Sequence, residues 1–465
     1  MFSFNICEHN FSHVHLIGIG GISMSGLAEI LLMEGYAVSG SDMNPSLIID
    51  KLKTQGANIY IGHKSENIEG ADLVVYTDAI SKDNPELIEA QKRGIETVDR
   101  GTFLGKLMKN YEKSIAVSGT HGKTTTTSML ATILNRSHLE PTILLGGELD
   151  EIGGNAKIGS KKLVLTEACE YKGNILKYQP TMAIILNMEE DHLDYFKNID
   201  HIVATFAEYA SGIGEDGYLI INIDDGNAQK VIENTKCNVT TFGLNGNGDY
   251  VAENISFTSE GYPKFILNIR NKEKYPITLN VMGIHNIYNA LGSIAAAHTY
   301  HVPMEDIIES IKDYKGTHRR LESKGAIKGA KIIDDYAHHP TEIKASLNAL
   351  KKTTQNRLWC VFQPHTYSRT KILLNSFSES FYDADKVIVT DIYAAREIDT
   401  GIIHSKNLVN VLKEKGIDAV YIDSFDKIES FLLANIENGD TIVTMGAGNV
   451  YKIGEALLED EKKAI

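Results

Sequence analysis

Gly119-Thr120-His121-Gly122-Lys123-Thr124-Thr125 is a run of residues suited to holding a nucleoside triphosphate. In a glycine-punctuated turn of this kind the backbone amides ring the phosphates. The lysine meets the outer phosphates and the first threonine hydroxyl ligates magnesium. The usual loop has a glycine six residues before its lysine. Here that place is Val117 and the first glycine is Gly119, so the loop is a variant. Two later positions offer further metal ligands: Glu167, closing the apolar run "LVLTEA", and His192, in "NMEEDH" after "MAIIL". With Thr124 they can serve one or two magnesium ions, although imidazole is not the partner magnesium prefers.

A second glycine cluster, Gly18-Ile19-Gly20-Gly21-Ile22-Ser23, follows "VHLI" and precedes a helix-like segment. Such a turn lets the backbone approach a pyrophosphate. Asp42, about twenty residues on, is where a carboxylate reaches a ribose hydroxyl. Ser23 occupies the position where a dinucleotide fingerprint has Gly or Ala, so the chemistry favoured is a nucleotide diphosphate without nicotinamide. Farther along, Asn286 and Asn289 lie three apart on one helix face. Their amides suit a purine edge on which His285 can stack. Arg319 and Arg320 form a basic pair fit for a polyphosphate. Four polar clusters close successive apolar runs: Asp334 to Pro340, Gln363 to Arg369, Ile392 to Glu397, and Met445 to Asn449. Four on one sheet edge describe the wall of a cleft.

These residues need elements that bring them together. Short apolar runs ending in polar or glycine residues alternate with helical spacing from residue 14 onward, the signature of buried parallel strands joined by crossover helices. Between Asn245 and Asn280 the pattern alternates more cleanly, which predicts antiparallel strands. With 465 residues the chain is long enough for three domains. The fold class expected is α/β, with limits at 1–108, 109–322 and 323–465.

The net charge of −15 provides no field for nucleic acid or anionic membranes, so any bound phosphate must be held by local geometry. Cys7, Cys169, Cys237 and Cys360 show no paired spacing, against a disulfide framework or a cysteine-built zinc site. No Lys or Arg precedes Lys51, so a signal peptide is not expected and a cytoplasmic location is.

In order and spacing, "GIGGISMSGLAE", "SGTHGKTTTT", "EACEY", "NMEEDHLDYF", "GIHNIYNA", "RRLE", "DDYAHHPTEI", "FQPHTYSRT" and "IYAARE" resemble the Mur ligase family across essentially the whole chain. The resemblance implies a Rossmann-like N-terminal domain, a central P-loop ATPase-type domain and a Rossmann-like C-terminal domain. It implies ATP and Mg2+ as cofactors and UDP-N-acetylmuramate and L-alanine as substrates, in a monomer or homodimer. A recycled murein tripeptide in place of alanine is the alternative. The implied reaction proceeds through an acyl phosphate.

By similarity Lys123, Thr124 and Glu167 serve the first metal and the phosphates, and His192 a second magnesium. Asn286 and Asn289 hold adenine, Asp335 the ATP ribose and Arg320 the phosphates. Gly18, Gly20, Gly21, Ser23, Asp42 and Asn187 face the sugar nucleotide. Tyr336, His338, His365 and Arg369 wall the amino-acid pocket, with Arg369 on its carboxylate. Two departures stand out. Thr366 replaces an arginine common in relatives, and "EACEY" replaces "EADES", leaving Glu167 alone as the expected carboxylate ligand.

Overall fold

The computed structural model describes residues 11–395 and 397–464, with side chains through Glu459. Cys7 and Arg396 therefore lie outside the described residues. The chain forms two compact units. One comprises the described residues up to Glu189 with Ile199–Val251 and Ala290–Ser310. The other comprises Glu190–Asn198, Ala252–Asn289 and Ile311 onward.

The first unit contains two parallel sheets. The N-terminal one has β1 (His13–Ile17), β2 (Ala37–Asp42), β3 (Asn58–Ile61), β4 (Leu73–Tyr76) and β5 (Glu96–Asp99), in the order β3-β2-β1-β4-β5. Strand β1 ends in Gly18, whose φ of +80° a side chain would strain. The chain then turns into the helix Ile22–Met33.

The second sheet is built from β6 (Lys113–Ser118), β7 (Thr142–Leu149), β8 (Gly154–Lys157), β9 (Leu163–Glu167), β10 (Met182–Ile185), β11 (Tyr218–Asn222) and β12 (Asn238–Gly243). They follow the order β12-β11-β10-β6-β9-β7-β8, parallel except for the β7–β8 pair. Strand β6 lies between β9 and β10, so connections leave it in both directions. That makes its carboxyl end a topological switch point, where open sheets bind ligands.

The region expected to be antiparallel is so only in part. Strands β14 (Pro263–Ile269) and β15 (Glu273–Thr278) pair antiparallel. Strand β13 (Tyr250–Phe257) instead begins parallel to β12, with Phe242 opposite Tyr250. The carboxylate of Asp249 accepts from the Thr241 amide at 2.9 Å, drawing the two segments side by side in one direction.

In the second unit β16 (Glu322–Ile327), β17 (Ala330–Asp335), β18 (Leu358–Phe362), β19 (Lys386–Val389), β20 (Ala419–Tyr421) and β21 (Thr441–Met445) follow the order β16-β17-β21-β18-β19-β20. All neighbours are parallel except β16 and β17. Alternation along each strand feeds two cores. Ile333, Cys360, Phe362 and Val443 pack on one face, while Ile332, Trp359, Val361 and Ile442 pack on the other. A sheet buried on both sides reads as unbroken apolar runs, and every carboxyl end on it is left to polar residues.

Candidate functional site

The loop after β6 is shaped by what its glycines permit. Gly119 has φ +134°, and a Cβ there would stand 3.1 Å from the Asn187 amide nitrogen. Gly122, at φ +83°, begins the helix Lys123–Arg136. Asn187 clamps the loop with both ends of its side chain: Oδ1 accepts from His121 N at 2.8 Å and Nδ2 donates to the His121 carbonyl at 3.1 Å. The structure thus commits Asn187, expected to face the sugar nucleotide, to the phosphate loop. Thr120 joins the clamp, its hydroxyl accepting from Glu189 N at 2.9 Å.

Lys123 lies on this loop, its Nζ donating to the Gly119 and Thr120 carbonyls and pairing with Glu170 Oε2 at 3.1 Å. Burial alone would favour the neutral amine. Glu170, with Cys169 and Glu167 nearby, reverses that and holds the lysine charged far above physiological pH. Glu170 is only 2% exposed and was missed in the sequence, where "EACEY" pointed to Glu167 alone. The signal available was its spacing, three residues past Glu167.

Thr124 Oγ1 donates to Glu167 Oε2 at 3.1 Å, and Glu167 Oε1 accepts from Gly146 N at 2.7 Å. A Cβ on Gly146 would fall 2.8 Å from both carboxylate oxygens, so this glycine, also missed, makes room for Glu167. A hydroxyl and a carboxylate side by side are hard oxygen donors, and the pair fits magnesium. Thr125 follows on the first turn of the same helix.

At the other glycine cluster, Asp42 Oδ2 accepts from Gly20 N at 3.0 Å, and Gly21 N donates to the Gly18 carbonyl at 3.1 Å. Ser23 Oγ accepts from Arg100 Nη1 at 3.1 Å. Arg100 carried no motif and was not anticipated.

In the second unit the carboxyl ends of β17, β18 and β21 enclose a cavity of about 160 Å³ lined by Asp191, His192, Tyr336, His338, His365 and Arg369 among others. All four residues expected to form the amino-acid wall line this one space. Arg369 Nη2 pairs with Asp191 Oδ1 at 3.1 Å, and its Nη1 lies 3.2 Å from His365 Nδ1. Burial works against a charged Asp191. The neighbouring His192, Arg369, His339 and His338 outweigh it and keep the carboxyl ionised far below its usual range.

His338 Nδ1 lies 3.0 Å from the Tyr336 carbonyl. Burial, helped by Arg369 and opposed by Glu342, lowers its pKa to about 4, so the ring is neutral at pH 7. Its Nδ1–H then donates to that carbonyl, leaving Nε2 as the ring's acceptor. His365 stands edge-on to His338 at 5.8 Å and stacks on Tyr393 at 5.7 Å. Thr366 caps the helix Tyr367–Ile372 from a backbone φ of +66°, accepting from Arg369 N at 3.4 Å.

The basic pair divides its work. Arg319 is committed to Asp334 (3.1 Å) and the Gly446 carbonyl (2.7 Å), while Arg320 lies over the Tyr336 ring at 5.1 Å. Asp335 is 3% exposed with one carboxyl oxygen unpartnered. Burial raises its pKa to about 6 despite Ser346 and Arg320. An orphaned buried oxygen of this kind fits a ligand hydroxyl.

Asn289 Nδ2 donates to Asn286 Oδ1 at 2.8 Å, and Asn286 Nδ2 to the Met282 carbonyl at 2.7 Å. His285 lines a separate cavity of about 300 Å³ with Phe257, Gly283, Thr341, Lys344 and Lys352. Its Nδ1 is among the buried atoms without a hydrogen-bond partner, and burial lowers its pKa to about 4.

Comparison with known proteins finds three matching profiles along the chain. Residues 13–112 match the profile described as "Mur ligase family, catalytic domain", 117–297 "Mur ligase middle domain", and 319–448 "Mur ligase, glutamate ligase domain". A UDP-N-acetylmuramate–L-alanine ligase of Alkaliphilus metalliredigens is 51% identical over 461 residues, covering 99% of this chain and 100% of that protein. Its counterpart in Acetivibrio thermocellus is 53% identical over 98% of this chain and 97% of its own. Among solved structures, a UDP-N-acetylmuramate–alanine ligase of Thermotoga maritima superposes with TM-score 0.84 at 27% identity, covering 98% of this chain and 100% of that one.

Proposed function

The chain belongs to the Mur ligase family, and from that premise we propose that it joins L-alanine to the lactyl carboxylate of UDP-N-acetylmuramate, converting ATP to ADP and phosphate in peptidoglycan precursor synthesis. The observation that carries this reading is the half-identical match, along nearly the entire chain, to ligases named for that reaction. We assign residues 1–108 to the sugar nucleotide, 109–322 to ATP and 323–465 to the amino acid, and the reaction to the cytoplasm. No helix among the described residues is long and apolar enough to cross a membrane.

The chemistry joins two anions, so neutralisation and positioning dominate. A lactyl carboxylate oxygen attacks the γ-phosphorus of ATP, the bond to the β-phosphate oxygen breaks, and ADP leaves. The alanine amine then attacks the acyl carbon. Phosphate departs as the tetrahedral intermediate collapses, and the nitrogen loses its proton.

Lys123 holds a fixed positive charge at the loop that receives the triphosphate. Thr124 and Glu167 would hold one magnesium ion and His192 a second. When bound, these ions offset charge on the γ-phosphate and the entering carboxylate. Asn286 and Asn289 take adenine with His285 beside them, Asp335 the ribose and Arg320 the phosphates. The loop from Gly18 to Ser23, with Asp42, takes the sugar nucleotide. Arg369 orients the alanine carboxylate, and neutral His338 accepts from the amino group.

The cavity of about 160 Å³ around Arg369 is below the size of a drug-sized cleft, roughly 300 Å³ or more. That space is enough for one small amino acid. Isotope transfer tests the first step. UDP-N-acetylmuramate labelled with 18O in its carboxylate should pass one label to phosphate on each turnover. Unlabelled phosphate would exclude an acyl phosphate.

A further inference from the structure

Arg100 opens the helix Arg100–Met108 at the carboxyl end of β5. It lies in a chain of net charge −15, where a partly buried cation beside two nucleotide loops is a specific feature. Its Nη1 donates to Ser23 Oγ at 3.1 Å, on the first turn after the Gly18–Gly21 loop. Its other electrostatic neighbours are Tyr178, Cys169 and Asp78. Cys169 directly precedes Glu170, the partner of Lys123. The guanidinium thus touches the sugar-nucleotide loop through Ser23 and has the turn before Glu170 within its electrostatic reach.

The groups that could neutralise Arg100 are engaged elsewhere. Asp99 accepts from Lys177 at 2.6 Å and caps its helix through Thr102, while Asp78 accepts from Asn174 at 2.7 Å. Beside the guanidinium, Tyr178 is 2% exposed; its hydroxyl oxygen faces Arg100, and its own O–H has no acceptor. An orphaned donor next to a guanidinium with donors to spare is a site lacking an acceptor with two oxygens. This arrangement also accounts for Ser23, the residue that broke the dinucleotide pattern: its hydroxyl aims the arginine.

We propose that Arg100, oriented by Ser23 and assisted by the Tyr178 hydroxyl, binds the lactyl carboxylate of the sugar nucleotide and so selects UDP-N-acetylmuramate over sugar nucleotides that lack that acid. The inference rests on the proposed ligase reading. It deepens that reading by naming the side chain that tells the substrate from its carboxylate-free analogue. The two anions of the first step need a fixed cation between their sites, and a guanidinium grips a carboxylate through two parallel hydrogen bonds.

The test is calorimetric binding of UDP-N-acetylmuramate and UDP-N-acetylglucosamine to the full chain, without ATP, for wild type, Arg100→Gln, Arg100→Lys and Tyr178→Phe. Arg100→Gln should weaken UDP-N-acetylmuramate about tenfold or more, the scale of a lost charged hydrogen bond, and leave UDP-N-acetylglucosamine unchanged. Arg100→Lys should restore part of the loss, and the KM for UDP-N-acetylmuramate should rise while that for ATP stays constant. Should Arg100→Gln fail to fold, Tyr178→Phe carries the same prediction, with a smaller loss confined to the acid-bearing ligand. Equal weakening of both ligands would place the guanidinium on the diphosphate and overturn the proposal, as would no weakening of either. A wild-type protein indifferent to the lactyl group, releasing no ADP with it, would overturn the ligase reading itself.

Discussion

At Lys123, burial and charge pull in opposite directions. A buried ammonium is costly unless paired, and Glu170 is the pair that keeps it ionised. Lys123→Ala should abolish ADP formation while leaving affinity for the sugar nucleotide within about twofold. It should also strand Glu170, lowering stability by roughly 3–5 kcal/mol. Adding Glu170→Ala should restore the thermal midpoint and none of the turnover, a split that calorimetry and an ADP assay read together.

Asp335 shows the reverse strain. Its carboxyl pKa rises to about 6 from an unfolded value of 3.8, so the folded state binds the proton more tightly. Its penalty is absent below the unfolded pKa, grows as pH rises through that window, and is complete above about 6. Asp335→Asn should therefore stabilise the protein by about 1–3 kcal/mol at pH 7.5 and little at pH 4 in denaturant titrations, while weakening ATP binding. The lysine loop was legible from its own spelling. Glu170, Gly146 and Arg100 were not, because their importance lies in what they touch across the fold.

The elements follow local rules with one instructive lapse. Strands β1, β2, β6, β9, β10 and most of the last sheet announce themselves as apolar runs closed by polar residues, because strands covered on both faces need nothing else. The hairpin of β7 and β8 was not read, since Gly146, Gly147, Gly153 and Gly154 hide its pattern. It is nevertheless the element that supports Glu167 from behind. Gly146→Ala should push that carboxylate off Thr124, raising the magnesium concentration needed for half-maximal ADP formation several-fold. Circular dichroism and thermal midpoint should stay near wild type. An unchanged magnesium requirement would mean that Glu167 adapts without loss. The start of β13 shows the opposite limit: alternation reveals a strand, while its direction depended on Asp249 reaching Thr241.

At the scale of the whole molecule, the sequence pattern led to an expectation of three domains, and the strands among the described residues form three sheets. The N-terminal sheet and strands β6 to β12 share one compact unit, which no local pattern could announce because packing between sheets leaves no periodic trace. With no general positive field, the proposed phosphate binding falls to the short glycine turns and to Lys123 and Arg320, each held by specific partners. The decisive measurement is product formation by the full chain supplied with ATP, magnesium and UDP-N-acetylmuramate, with L-alanine, the murein tripeptide, or neither. The account predicts one ADP and one phosphate per UDP-N-acetylmuramoyl-L-alanine formed, seen by mass, and only with alanine. ADP release that requires the tripeptide, or that proceeds at the same rate without the sugar nucleotide, would contradict it.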